Sequence, residues 1–304
     1  MVGIVAAAAG DAEVVVRHVS RWISSLSALQ APSLQDLRAA FAGYPISCAL
    51  PAGVARVATL LGAVAGTWFV PTTRDRTRRI LYVHGGGFVC GDANMYAGLC
   101  GRLAQAASAA LFFVDYRRAP EHSHPAALAD VIAALGAVAE RGPDEVSRPA
   151  RLLLAGDSCG AGLALAAAIA VHGSGKRGPD AIACFSGWFD FVDLPPARSS
   201  DRVVTRTAME SAVAAYFAAQ NPAAMSPLGQ DLSGLPPLLV QAARDEALLP
   251  QSEALAQRAR AAGVPVTLDI LPHGHPHVCQ FFWRELPAAN AALMRAAQFL
   301  AGAD

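Results

Sequence analysis

An α/β architecture, with a mainly parallel sheet covered by helices on both faces, is predicted by three features of the sequence. From about Arg79 to the end, short apolar runs of strand length alternate with alanine-rich runs of helical length. The 304 residues suffice for one large domain with an added subdomain and a substantial core. Two of the strand-like runs lead directly into glycine-rich turns, where small residues let the backbone bend sharply or approach a ligand closely.

The elements follow in order. Residues 1–50 lie outside the alternation; amphipathic helices are expected over Val14–Leu29 and Leu34–Phe41, forming the N-terminal part of a cap. Residues 51–187 form the first part of the core, with strands at Ile80–Val83, Ala110–Val114, Arg151–Ala155 and Ile182–Phe185 and helices at Tyr96–Ala107, Ala126–Arg141 and Ala161–His172. A Pro- and Arg-rich loop and a helix over Ala208–Ala219 make residues 188–225 a cap insertion. Residues 226–304 complete the core with strands Leu238–Gln241 and Val266–Leu271 and helices Ser252–Ala262 and Ala288–Ala301. There is no internal repeat.

Composition narrows the partners. With 24 basic and 24 acidic side chains the formal charge is zero, so no long-range field draws the chain to nucleic acid or to an anionic membrane. A small, weakly charged molecule is the expected partner, and a homodimer stays open. Six cysteines, Cys48, Cys90, Cys100, Cys159, Cys184 and Cys279, show no C-x-x-C pair and no zinc-like spacing, as free thiols in a reducing cytosol would. The mildly apolar run Met1–Ala9 has no basic start and meets Asp11 and Glu13, which argues for a cytoplasmic protein. No stretch approaches the roughly 18 apolar residues of a membrane span.

Chemistry is concentrated in a few short motifs. The strand Arg151–Ala155 runs into Gly156-Asp157-Ser158-Cys159-Gly160 and then a helix, the strand–turn–helix setting that raises a serine Oγ above a sheet and places a positive helix end beside a developing anion. Upstream, Leu81-Tyr82-Val83 leads into His84-Gly85-Gly86-Gly87-Phe88. Three glycines after a buried strand point to backbone N–H groups gathered around an oxyanion. A flexible loop or a phosphate-binding turn is the alternative, but for the latter neither G-x-G-x-x-G nor Gly-Lys-Ser/Thr is present.

With both motifs in hand, the chain resembles the hormone-sensitive-lipase-like family of α/β-hydrolases, over about Thr77 to Phe282. The resemblance rests on His84-Gly85-Gly86-Gly87, Asp115-Tyr116-Arg117-Arg118-Ala119-Pro120-Glu121, Gly156-Asp157-Ser158-Cys159-Gly160, Asp245-Glu246-Ala247-Leu248 and Pro276-His277, in the family's order. It implies an α/β-hydrolase core with a helical cap, and hydrolysis of carboxylic esters with no cofactor and no metal. Carried over by position, Ser158 is the nucleophile, Asp245 the acid and His277 the base, with the N–H groups of Gly86, Gly87 and Cys159 as oxyanion donors. Asp245 follows the strand Leu238–Gln241, which independently puts it at the carboxyl edge of the sheet, where ligands bind. A surface-loop aspartate is the plainer reading of the same residue.

His277 shares its loop with His273 and His275. Extended, the three would point one way and suit a metal, but Gly274 and Pro276 break the strand and no partner carboxylate or thiol is identifiable. The family pattern selects His277. Phe88 and Trp188 are candidates for the walls of the substrate pocket, with plain core packing as the other reading. Two departures stand out: Cys159 replaces the usual alanine after the nucleophile, adding bulk below the oxyanion hole, and Pro250 replaces an acidic residue often found after the catalytic acid. Lactone opening and amide or N-acetyl hydrolysis use the same machinery, and a catalytically silent binding module on the same fold is the reading from a different class.

Overall fold

The computed structural model describes residues 15, 17–19, 21, 33–43, 48–144, 147–194, 196, 201 and 203–302. Eight strands form one sheet: β1 (Val54–Leu61), β2 (Val64–Pro71), β3 (Arg78–Val83), β4 (Ala110–Val114), β5 (Arg151–Asp157), β6 (Ala181–Phe185), β7 (Leu238–Ala243) and β8 (Val266–Leu271). Their order is β1-β2-β4-β3-β5-β6-β7-β8; β1 and β2 run antiparallel and the remaining pairings from β4 to β8 are parallel.

The inner parallel strands β3 to β7 are buried on both faces, which is why they read as continuous apolar runs, whereas the edge strand β8 is buried only at Leu271. Successive side chains alternate between two cores. Leu81, Val83, Leu152, Leu154, Ile182 and Val240 join one cluster, with helices α3 (Ala126–Glu140) and α4 (Ser158–Val171). Ile80, Tyr82, Leu153, Ala155, Ala183 and Leu239 join the other, with α2 (Ala97–Ala106) and α7 (Pro287–Ala301). Helix α6 (Leu249–Ala261) adds Leu255 and Ala259 to the first cluster.

Every strand expected from the sequence is present, and the predicted helices of the core lie within three residues of their observed starts and two of their observed ends. The antiparallel hairpin β1–β2 was not anticipated, since the sheet was expected to begin near Arg79. Its strand β1 is an edge buried only at its ends, so it lacks the apolar run of a central strand.

Outside the sheet, α1 (Leu34–Ala42) begins at a capping box in which Ser33 Oγ accepts from Asp36 N and Asp36 returns to Ser33 N. Its Arg38 clasps the core, donating from Nε to Val89 O (2.8 Å), from a terminal nitrogen to Ala119 O (3.2 Å), and to both carboxylate oxygens of Glu121. The helix expected over Val14–Leu29 lies largely outside the described residues. Helix α5 (Arg206–Phe217), capped by Thr205, belongs to the 188–225 segment and packs over the triglycine loop: its Tyr216 stacks on Phe88 at 4.1 Å between ring centroids. Among the described residues no helix is long and apolar enough to cross a membrane.

Candidate active site

Register brings the motifs together. Val83 pairs with Gly156, so the triglycine loop after β3 and the turn after β5 leave the sheet side by side. Ala243 pairs with Leu271 and Phe185 with Gln241, which sets the acidic loop after β7 between the segment following β6 and the histidine loop following β8. All of these segments lie at the carboxyl edge of the parallel strands.

Ser158 sits at the first position of α4 with φ +51°, left-handed backbone that a non-glycine residue adopts at a cost. The loop closes tightly on it, for a Cβ on Gly85 would stand only 3.0 Å from the Cβ of Ser158. Gly86 has φ +104°, a conformation closed to other L residues. Two contacts tie this elbow to its surroundings: Phe88 N donates to Cys159 Sγ (3.2 Å), and Trp188 N donates to Ser158 O (3.0 Å). The Cys159 thiol is thus an acceptor for the backbone that follows the triglycine run, as well as added bulk. Burial pushes it up to about 12, so it is protonated at neutral pH.

Beneath the elbow lies a buried polar network. Asp157 Oδ1 accepts from Tyr82 Oη (2.9 Å) and Gly85 N (3.0 Å), and Oδ2 accepts from Tyr96 Oη (2.8 Å). Burial raises this carboxyl to about 6, against the opposing pull of the tyrosine and backbone donors. His84 stacks between Phe113 and Tyr116 and bonds through Nδ1 to Gly85 O (2.7 Å), stiffening its own loop. Burial lowers His84 to about 3, which keeps it neutral.

The three histidines take three different partners. His273 Nδ1 meets Asp245 Oδ1 at 2.6 Å on the exposed side of the loop, His275 Nδ1 faces the carbonyls of Pro272 and His273, and His277 Nδ1 meets Glu246 Oε2 at 3.1 Å in the interior. Among the described residues no group of three or more His, Cys, Asp or Glu side chains is arranged to hold a metal ion.

The expectation that Asp245 orients His277 is therefore corrected: the carboxylate on His277 is that of the next residue, Glu246. Asp245 instead receives His273 and Gly274 N (2.8 Å). Adjacent side chains leave the chain in different directions, and here the longer one folds inward. Glu246, 1% exposed, accepts at Oε1 from Ser186 Oγ (2.7 Å) and Ala243 N (2.7 Å), leaving Oε2 to the imidazole. Burial opposes the charged form of His277, yet the hydrogen bond and charge of Glu246, with the charges of Asp201 and Asp157, hold it above its ordinary value.

Phe88 and Trp188 are both buried, in one aromatic cluster with Phe191, Tyr216 and Phe217. This cluster joins the end of the triglycine loop to α5 through the contacts of Phe88 with Tyr216 and Phe217.

Residues 80–281 match the family described as alpha/beta hydrolase fold. The chain belongs to the α/β-hydrolase family, in its hormone-sensitive-lipase-like group. An acetyl-hydrolase of Streptomyces hygroscopicus is 36% identical over 246 residues, covering 79% of this chain and 80% of that one. An esterase of Acinetobacter venetianus is 30% identical over 235 residues, 75% of this chain and 76% of its own. Among solved structures, an esterase from the bacterial hormone-sensitive lipase family superposes with a TM-score of 0.87 at 32% identity, covering 97% of this chain and 99% of that one. A hormone-sensitive lipase from a metagenome library gives 0.84 at 28% identity, covering 96% and 98%.

In this α/β-hydrolase, sequence reasoning missed Glu246, Ser186 and the Tyr82–Tyr96–Asp157 network. Glu246 stood beside the selected residue, and spacing alone does not separate neighbours. Ser186 carried no signal, being an isolated serine after a strand. The two tyrosines read as core because only their hydroxyls are polar.

Proposed function

We propose that this α/β-hydrolase is a serine carboxylesterase acting on short- to medium-chain carboxylic esters through an acyl-enzyme, with Ser158 as nucleophile, His277 as general base and Glu246 as the acid that orients it. The class is that of its family, the carboxylic ester hydrolases. The observation that carries the residue assignment is the buried Glu246–His277 contact: of the loop's three histidines, His277 meets a buried carboxylate, whereas His273 meets Asp245 at the surface and His275 faces backbone carbonyls. With Nδ1–H donated to Glu246, Nε2 is left to take the proton of Ser158 Oγ as the oxygen attacks the ester carbonyl. The N–H groups of Gly86, Gly87 and Cys159 receive the resulting oxyanion, each contributing about 3–4 kcal/mol to the transition state. Collapse expels the alcohol with the proton from His277, and water, deprotonated by the same imidazole, releases the acid.

Residues 1–50 and the 188–225 segment form the cap in this reading, and Phe88 and Trp188 back the pocket. The substrate is a small-molecule ester, and the protein works in the cytoplasm, in keeping with its six free thiols. The acetyl-hydrolase relative points to acetyl as one acyl group to test, and hydrolysis of an N-acetyl amide or a lactone would use the same residues. A panel of p-nitrophenyl esters of rising chain length, run beside an N-acetyl amide and a lactone, separates these.

A fluorophosphonate is expected to label the protein at Ser158 alone and abolish esterase activity, while a chelator leaves activity intact. Labelling at another residue, or chelator-sensitive turnover, would refute the assignment. The pH profile gives an independent check. Because a base must be neutral to act and His277 is held above its ordinary 6.5, the acid limb of kcat/KM is expected to have its midpoint above that value. In Glu246→Gln the midpoint of any residual activity should move down.

A further inference from the structure

Ser186 follows β6 and is 1% exposed, with φ +49°. Its backbone N donates to Gln241 O (2.7 Å), which anchors the residue to β7. Its hydroxyl makes two bonds of opposite sense. It donates to Glu246 Oε1 at 2.7 Å and accepts from Val278 N at 3.0 Å. One oxygen atom thus joins the carboxylate that faces His277 to the backbone of the residue immediately after His277. Val278 is also left-handed, at φ +51°, where a β-branched residue is a genuine outlier. Two strained residues therefore meet at a single hydrogen bond, and strain of this kind persists only where the surroundings enforce it.

We infer that Ser186 is a positioning residue of the proposed reaction, its hydroxyl fixing the Glu246 carboxylate and the His277–Val278 turn in the arrangement that aims the imidazole at Ser158. The inference rests on Glu246 and His277 being the acid–base pair. Without the hydroxyl, Glu246 Oε1 keeps Ala243 N but loses its side-chain donor, and Val278 N, held in the left-handed turn, loses its acceptor. The carboxylate and the imidazole are then each free to shift. Displacement of a base by a fraction of an ångström lowers turnover more than binding, because the substrate does not touch this hydroxyl.

The backbone of Ser186 makes the test selective. Glycine suits φ +49°, so Ser186→Gly deletes the hydroxyl while relieving strain; Ser186→Ala deletes it and keeps the strain; Ser186→Thr keeps a hydroxyl but adds a methyl group in a tight, strained position. A purely structural role ranks activity with melting temperature, glycine best and threonine worst. A positioning role ranks activity with the hydroxyl.

We expect kcat to fall by roughly 10- to 100-fold in both Ser186→Gly and Ser186→Ala with KM little changed. The downfield proton resonance of His277 Nδ1–H should be weakened or lost in both, whatever their melting temperatures, and Ser186→Thr should lose less turnover than Ser186→Gly. Wild-type kcat and an intact resonance in a folded glycine or alanine variant would overturn the inference, as would activities that follow stability across the three. Glu246→Gln and His277→Ala, measured alongside, keep the two claims apart. If those variants retain turnover, the acid–base reading fails. If they are inactive while the Ser186 variants are not, only the role of Ser186 fails.

Discussion

Glu246→Gln is expected to lower kcat by roughly 10⁴-fold, by analogy with other triads, while Asp245→Asn stays within a few-fold of the parent protein. The two residues are chain neighbours and both contact a histidine, so the contrast is a strict one. Glu246 is buried against a buried imidazole, where in the proposed mechanism its charge stabilises the imidazolium formed when Ser158 gives up its proton. An amide in its place removes that charge and can present N–H to Nδ1, stabilising the wrong tautomer. Asp245 touches His273, whose side chain is 73% exposed, and even a charged contact so open to solvent contributes only about 0–1 kcal/mol. Steady-state hydrolysis of p-nitrophenyl acetate, with thermal melts of each variant, measures the difference. An inactive Asp245→Asn beside an active Glu246→Gln would restore Asp245 as the acid.

What the sequence disclosed and what it withheld follow from the range of the interactions involved. The inner parallel strands were legible because burial on both faces leaves a continuous apolar run, as in Ala110–Val114, where the expected and observed bounds coincide. The hairpin strand Val54–Leu61 was not, because an edge strand gains its place from β2 and carries a mostly exposed surface. Ser158 and the triglycine loop were legible for a local reason: a sharp turn and a close backbone approach need small residues at fixed positions. The acid was different. The proposed assignment depends on which of two adjacent carboxylates turns toward residues 186 and 277, and those contacts span 60 and 31 positions of the chain. Cys159 shows the reverse case, a residue noted for its bulk whose sulfur turned out to accept a bond from Phe88 N, 71 positions away.

His277→Ala is expected to lower kcat by several orders of magnitude, since the Ser158 hydroxyl is not nucleophilic at neutral pH without a positioned proton acceptor. His273→Ala and His275→Ala should be mild, because their rings face Asp245 and backbone carbonyls. Fold must be separated from chemistry in this experiment. Removing the imidazole leaves the Glu246 carboxylate buried without its charged-state partner, a change that costs up to about 3–5 kcal/mol when no other donors remain. Here Ser186 Oγ and Ala243 N still donate to Oε1, so the loss should be smaller and the variant should fold. Combining His277→Ala with Glu246→Gln then supplies the decisive comparison. An acid that acts only by orienting and stabilising a base has no function once the base is gone, so the double variant should turn over no more slowly than His277→Ala, and it should be the more stable of the two because the unpaired buried charge is also removed. A double variant much slower than His277→Ala would mean that Glu246 acts on the substrate or on Ser158 directly. A folded His277→Ala protein with near-parental turnover, or an inactive His275→Ala, would overturn the assignment of the base.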